Sequence, residues 1–368
     1  MPAVLDAKWT LAAAGQESRH GLLGVADATG HLTIHGLEAA ETPSGSDFWR
    51  LRQIADLPLN PRQALALSLD WSDRLHHYPS HLAGNQSSQV SDAALIASQS
   101  DGSLVYLPSI EAAVTGDEAK VPARQTNQED EDDIQDDNDN VDDDGEGTAA
   151  EVSPSRHWEA KPVGLESWHA HDHEAWIAAF DAFSGGQVAW SGSDDLTMKG
   201  WDMRTPIRSN GQRQPTFVNR REFDGGVTTM QSHWSKEGLW AVGSYDSKLR
   251  LFDARNPLRP VSSLELPGGI WRLKWHPTNP SLLLAGCMHG GFAVVDVAGG
   301  RASIAEEDAL SRDFGQFPEI VTTFEGHSSL AYGCDWDRGN PEREAGEQSS
   351  SMVYSCSFYD KLLCAWRG

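Results

Sequence analysis

One short template recurs six times along the 368 residues and limits the folds open to this chain. A small or polar strand leads into a turn residue, usually Asp, and a bulky residue follows six positions later. The clearest copies are SGSDDLTMKGWD and SCSFYDKLLCAW. In order along the chain, the paired positions are Thr29 and His35, Asp101 and Leu107, Asp195 and Trp201, Asp246 and Phe252, His289 and Val295, and Asp360 and Trp366. The constant spacing predicts one repeated structural unit.

The segments around the template have the pattern of short strands. IWRLKW, LWAVGS and LRLFD alternate apolar and polar residues, and the chain shows no long stretch with helical periodicity. Gly, Asp and Ser turns separate these segments. Short strands between such turns, repeated along the chain, favour a four-stranded sheet per repeat, with the sheets arranged as blades around an axis.

A second spacing that occurs twice in the chain makes this prediction more specific. His171 stands nine residues before Phe180, and His327 stands nine residues before Trp336. Together with the turn Asp and the Trp below it, these residues resemble the WD-repeat family. The resemblance implies an all-β WD-repeat β-propeller with six visible repeats, or a ring of seven blades if an N-terminal part is missing. It also implies bracing hydrogen bonds from His171 to Asp195 and from His327 to Asp360.

The repeats divide the chain into three parts. Residues 1–107 hold repeats 1 and 2, and residues 161–368 hold repeats 3 to 6. Between them, residues 108–160 contain thirteen carboxylates and no Lys or Arg in the stretch 125–155. Such a segment cannot bury enough apolar area to offset its ordering entropy, so we predict a disordered acidic insertion.

Composition excludes several classes of function. The chain has 54 acidic and 29 basic residues, which argues against a nucleic-acid partner. Its longest aliphatic stretches are a few residues long, so we expect no membrane span, and no secretory signal is visible. The four cysteines match no zinc spacing, which favours free thiols and the cytoplasm. We expect a monomer without a cofactor. We also expect no metal site, because the alternating histidines at 169, 171 and 173 include His171, which already has a bracing role.

Aromatic residues gather at positions that face the top of the channel in WD-repeat propellers. Five residues beyond the bracing-His position the sequence has Trp176, Met230, Trp271 and Tyr332, and Glu174 lies two residues before Trp176. The residues just before the turn residue are Asp194, Tyr245, Met288 and Tyr359. We predict a substrate-binding surface formed by Trp176, Trp271, Tyr332, Tyr245, Tyr359 and Asp194. Core packing is the alternative for the two tryptophans.

The fifth repeat departs from the template. Its turn residue is His289, and Leu266 occupies the position of the bracing histidine. The usual bracing bond cannot form there. A turn histidine that titrates near neutral pH can serve as a general base, and an ordinary solvated histidine is the alternative.

Longer strings carry a closer resemblance. HDHEAWIAAF, GGIWRLKWHP, LLLAGCMHGGF and HSSLAYGCDW resemble the diphthine methylesterase family, over about residues 165–366. The resemblance implies hydrolysis of the methyl ester of methylated diphthine on translation elongation factor 2, and a Trp/Tyr cluster is a physical receptor for the trimethylammonium group of that substrate. We therefore predict a catalytic set of His289 as base, Arg272 or the N–H groups around Gly268–Gly269 for the oxyanion, and Glu174 or Asp194 as counter-charge. Cys287 is a weaker candidate nucleophile, because we expect it to be buried.

Two other functional classes stay open. A noncatalytic adaptor could bind a protein at the same surface, and turnover of the ester would separate it from an esterase. A ubiquitin-ligase substrate receptor would carry a docking helix outside the propeller, and the sequence shows none.

Overall fold

The computed structural model describes residues 2–10, 21–41, 47–59, 64–73, 93–122, 161–298, 318–338, 351–357 and 359–368. These residues form 23 strands in six antiparallel sheets around a central channel. In each sheet the strands follow chain order from the channel outwards. The predicted all-β propeller with six repeats is confirmed.

The first three sheets have four strands each. Sheet 1 contains β1 (Val4–Trp9), β2 (Leu22–Asp27), β3 (His31–Glu41) and β4 (Asp47–Pro58). Sheet 2 contains β5 (Ala66–Trp71), β6 (Leu95–Gln99), β7 (Ser103–Leu107) and β8 (Glu166–His169). Sheet 3 contains β9 (Ala175–Phe180), β10 (Val188–Ser193), β11 (Met198–Asp202) and β12 (Phe217–Asn219).

The last three sheets continue the pattern. Sheet 4 contains β13 (Val227–Ser232), β14 (Leu239–Ser244), β15 (Lys248–Asp253) and β16 (Pro260–Glu265). Sheet 5 contains β17 (Arg272–Trp275), β18 (Leu282–Gly286), β19 (Phe292–Asp296) and β20 (Glu319–Phe324). Sheet 6 has three strands in the described part of the chain, β21 (Gly333–Trp336), β22 (Met352–Cys356) and β23 (Leu363–Arg367).

The second sheet is built from both sides of the predicted insertion. Its outer strand β8 pairs with β7, although 58 residues separate Leu107 from Glu166. Residues 108–122, assigned to the insertion from the sequence, instead include helix α1 (Ile110–Thr115) and a 3-10 turn (Glu118–Lys120). Ser109 caps α1, and Ile110 is buried against sheet 2. The acidic stretch 125–155 lies outside the described residues, so its predicted disorder stays a prediction.

Apolar side chains fill the spaces between neighbouring sheets. Five buried clusters among the described residues join sheet 1 to 2, 2 to 3, 3 to 4, 4 to 5 and 5 to 6. Indole N–H groups add hydrogen bonds between inner strands, because Trp71 donates to the Lys8 carbonyl (2.9 Å) and Trp336 to the Lys274 carbonyl (2.9 Å). Sheets 1 and 2, and sheets 5 and 6, are therefore joined by both apolar packing and hydrogen bonds.

Candidate functional site

In each sheet, one residue near the start of the inner strand occupies an equivalent position at one end of the channel. In sheets 1 to 4 the strand register skips one residue, which is the mark of a β-bulge. Sheets 5 and 6 place the equivalent residue just before β17 and β21. The six residues, each four positions before the end of its inner strand, are Leu5, Leu67, Trp176, Thr228, Trp271 and Tyr332.

This shared position brings Trp176, Trp271 and Tyr332 together, and Tyr245 joins them from a turn. Trp271 lies 5.4 Å from Trp176 and 5.5 Å from Tyr332, measured between ring centroids, and Tyr245 lies 6.0 Å from Trp271. Most of these pairs are edge to face, the arrangement that aromatic quadrupoles favour. The Tyr332 and Tyr359 side chains are hydrogen-bonded. We call these five residues the aromatic mouth: Trp176, Tyr245, Trp271, Tyr332 and Tyr359.

Thr228 allows the two tryptophans to meet. Its hydroxyl donates to the carbonyl of Ile270, and its short side chain is buried. The sequence alignment placed Met230 at this position, which is wrong by two residues. Met230 is instead buried between sheets 3 and 4, in the apolar cluster with Trp190 and Trp240.

Two carboxylates lie beside the aromatic mouth. The Trp176 indole N–H donates to Asp194 Oδ1 (3.3 Å), and the backbone N–H of Asp194 donates to the Glu174 carbonyl (3.0 Å). Burial raises the pKa of the Tyr245 hydroxyl to about 12, with further contributions from the charge of Asp194 and from Tyr332 and Glu174. The surface therefore combines ring faces with negative charge, which suits a cation.

His289 lies at the exposed tip of the turn that joins β18 to β19. Two backbone hydrogen bonds close this turn, from Cys287 to Gly291 and from Gly290 to Cys287, both of 2.7 Å. Among the described residues, no hydrogen bond or ring contact joins His289 to the aromatic mouth. Its assignment as base stays a prediction.

Arg272 forms an ion pair with a carboxylate of the first sheet. Its guanidinium pairs with Asp6 of the first inner strand (Nη1 to Oδ1, 3.3 Å) and lines the channel with Lys8 and Lys274. The assignment of Arg272 as oxyanion donor stays a prediction. The N–H groups of Gly268 and Gly269 donate to no described group and lie beside the turn that carries His289.

The bracing networks form as predicted in sheets 3 and 6. His171 Nδ1 lies 3.0 Å from Asp195 Oδ2, and its Nε2 lies 2.7 Å from Ser191 Oγ, which also accepts from the Trp201 indole (2.8 Å). This is a Ser–His–Asp arrangement, but Ser191 is 0% exposed, so it cannot reach a substrate. His327 repeats the pattern with Asp360 (3.3 Å) and Ser355 (3.0 Å).

In sheet 4 a different residue type pairs with the turn Asp. Asp246 accepts two hydrogen bonds from Arg250, of 3.0 and 2.7 Å, whereas the turn Asp residues of sheets 3 and 6 pair with histidine. The sequence analysis missed this substitution, although Arg250 stands four residues after the turn Asp, within reach of its carboxylate.

The environment of Cys287 does not suit a nucleophile. Its side chain is buried between sheets 4 and 5, and burial raises the pKa of the thiol to about 12. A thiol with that pKa supplies almost no thiolate at neutral pH. In the described part of the chain, no helix is long and apolar enough for a bilayer crossing, and no three metal-ligating side chains converge.

Comparisons with known proteins agree with the motifs. No protein-family model matches the chain. The mouse protein named diphthine methyltransferase is 31% identical over 334 residues, which cover 91% of this chain and 53% of that protein. The human protein of the same name is 31% identical over 335 residues, covering 91% of this chain and 56% of that protein. A Dictyostelium discoideum homolog is 35% identical over 214 residues, covering 56% of this chain and 53% of that protein.

A structural comparison supports the fold alone. A chain in the crystal structure of the mitotic checkpoint complex matches all of this chain and 75% of its own length, with a TM-score of 0.56 and 12% identity. The sequence matches go further, although this chain spans about half the length of the curated relatives. The chain belongs to the family of these diphthine methyltransferases, which is the family that the motifs predicted as diphthine methylesterase.

Proposed function

We propose that this chain hydrolyses the methyl ester of methylated diphthine on translation elongation factor 2, a late step of diphthamide biosynthesis. The observation that carries the proposal is the aromatic mouth with Asp194 and Glu174 beside it. The substrate presents a trimethylammonium group, which binds to aromatic faces and to negative charge. The relatives' names, which concern diphthine and methyl groups, support the same substrate class.

The reaction needs water, a base and stabilisation of an oxyanion. Water adds to the carbonyl carbon of the ester, the C–O bond to the methoxy group breaks, and the products are a carboxylate, methanol and a proton. We assign proton removal from water to His289, at the turn beside the mouth. The N–H groups of Gly268 and Gly269 are the donors for the oxyanion, and Glu174 stabilises the trimethylammonium cation.

Water labelled with oxygen-18 tests the direction of the chemistry. The protein is incubated with elongation factor 2 that carries methylated diphthine, and both products are analysed by mass spectrometry. Hydrolysis predicts methanol in excess over protein and the label in the new carboxylate. Absence of methanol would overturn the proposal, and tight binding without methanol would establish the adaptor function instead. The cytoplasm, where the factor acts, is the compartment that this proposal implies.

A further inference from the structure

One residue of the mouth region is held in a strained backbone conformation. Met288 has a φ of 45°, in the left-handed region that L side chains adopt only against a steric penalty. Three other non-glycine residues with positive φ, Leu196, Ser247 and Lys361, follow the turn Asp of their sheets. Met288 instead precedes the turn residue of sheet 5, so the strain there is not part of the common turn.

Contacts on two sides fix Met288 in this conformation. Its carbonyl accepts a hydrogen bond from the N–H of Ala331 (2.9 Å), the residue before Tyr332. Its Sδ atom lies 3.4 Å from the position that a Cβ on Gly269 would occupy, and the Tyr245 carbonyl oxygen lies 3.2 Å from the same position. Gly269 is two residues before Trp271. Met288 therefore touches both segments that carry the ring pair Trp271 and Tyr332.

We propose that Met288 is a positioning residue of the aromatic mouth, which holds Trp271 and Tyr332 at the spacing that binds a quaternary ammonium group. The inference rests on the proposed function, since that function supplies the cationic ligand. A strained backbone conformation persists only where the surrounding contacts enforce it, and such conformations are most frequent at functional sites. Glycine would relieve the strain and remove the side-chain contact with the Gly269 segment, while the backbone carbonyl that accepts from Ala331 would remain.

Binding of choline tests the proposal, with 3,3-dimethylbutan-1-ol as the neutral molecule of the same shape. Affinities are measured by calorimetry for the native chain, Met288→Gly and Met288→Asn, and the melting temperature of each is recorded. We expect Met288→Gly to melt within about 2 °C of the native chain or above it, because relief of strain offsets lost packing. We expect choline to bind to Met288→Gly about two- to fivefold more weakly than to the native chain, because one exposed contact between the cation and a ring is lost.

Leu196→Gly is the matched control. It relieves a positive φ of 61° in the turn of sheet 3, at a side chain with no contact to the mouth among those described. Its choline affinity should stay native. Choline affinity unchanged in both Met288 variants would overturn the positioning role. A native chain that binds choline no better than the neutral alcohol would instead overturn the cation site of the proposed function.

Discussion

Replacing Asp6 by Asn should show how much the channel charges stabilise the propeller. The Asp6 carboxylate is 6% exposed and lies 3.3 Å from Arg272 and 3.7 Å from Lys8, measured to side-chain nitrogen. It also accepts a hydrogen bond from the N–H of Leu69 (3.1 Å). Burial by itself would raise the pKa of Asp6, but Arg272, Lys8 and Lys274 outweigh burial and hold the pKa at about 2 instead of 3.8.

The size of the effect follows from these two pKa values. At about 1.4 kcal/mol per pH unit, the difference between 3.8 and about 2 stabilises the folded chain by about 2.5 kcal/mol. Because the folded pKa lies below the unfolded one, this stabilisation is fully present above about pH 5 and is lost as the pH falls towards 2. Asp6→Asn should therefore cost about 2–4 kcal/mol at pH 7, since Arg272 also loses its charged partner.

Urea unfolding between pH 2.5 and 7 measures this contribution. The free energy of unfolding of the native chain should fall by about 1.5 kcal/mol more than that of Asp6→Asn as the pH drops from 5 to 2.5, because some of the carboxylate is still ionised at pH 2.5. Glu265→Gln, which changes an exposed carboxylate, should follow the native curve. Parallel curves for the native chain and Asp6→Asn would show that the channel ion pairs do not stabilise the fold.

Three further outcomes test the site and its surroundings. Trp271→Leu should weaken binding of choline by roughly two- to thirtyfold while Trp271→Phe keeps most of it, and an equal loss for the neutral alcohol would remove the cation–π explanation. His289→Ala should abolish most methanol release and leave the melting temperature unchanged, whereas His171→Ala should lower the melting temperature through loss of buried hydrogen bonds; equal stability loss in both would contradict the two assignments. Cys287 should resist iodoacetamide at pH 8 while exposed Cys356 reacts, as peptide mapping would show, and fast labelling of Cys287 would place it at the surface.

Local patterns were enough to predict the repeats and the bracing bonds. The six-residue spacing between turn and strand end follows from one hairpin, so the sequence displays it directly. His171 with Asp195 could be paired because the family template fixes both positions. Arg250 was missed because the template expects a histidine as the partner of the turn Asp. It does not show which other residue types can reach the Asp246 carboxylate.

Features that depend on distant residues were beyond the sequence. Asp6 and Arg272 are 266 residues apart, and nothing local marks them as partners. The bulge that places Thr228 at the mouth is a change of register, and a register of strand pairing does not show in one strand alone. The completion of sheet 2 after the acidic stretch is hidden for the same reason, since the partner of β7 lies far along the chain.

The five apolar clusters have a consequence for how the molecule opens. In the described part of the chain each cluster joins two consecutive sheets, so cohesion passes from neighbour to neighbour as in a one-dimensional array. Sheets 2 to 5 each belong to two clusters, whereas sheets 1 and 6 each belong to one, and sheets 3 and 4 lie farthest from those two. Amide protons should therefore exchange with solvent earliest in β1 and β23 and last in β10 and β14. Thermal motion would then loosen this propeller from its two terminal sheets inwards, and the tryptophans of the mouth, on sheets 3 and 5, would be released only after a terminal sheet had opened.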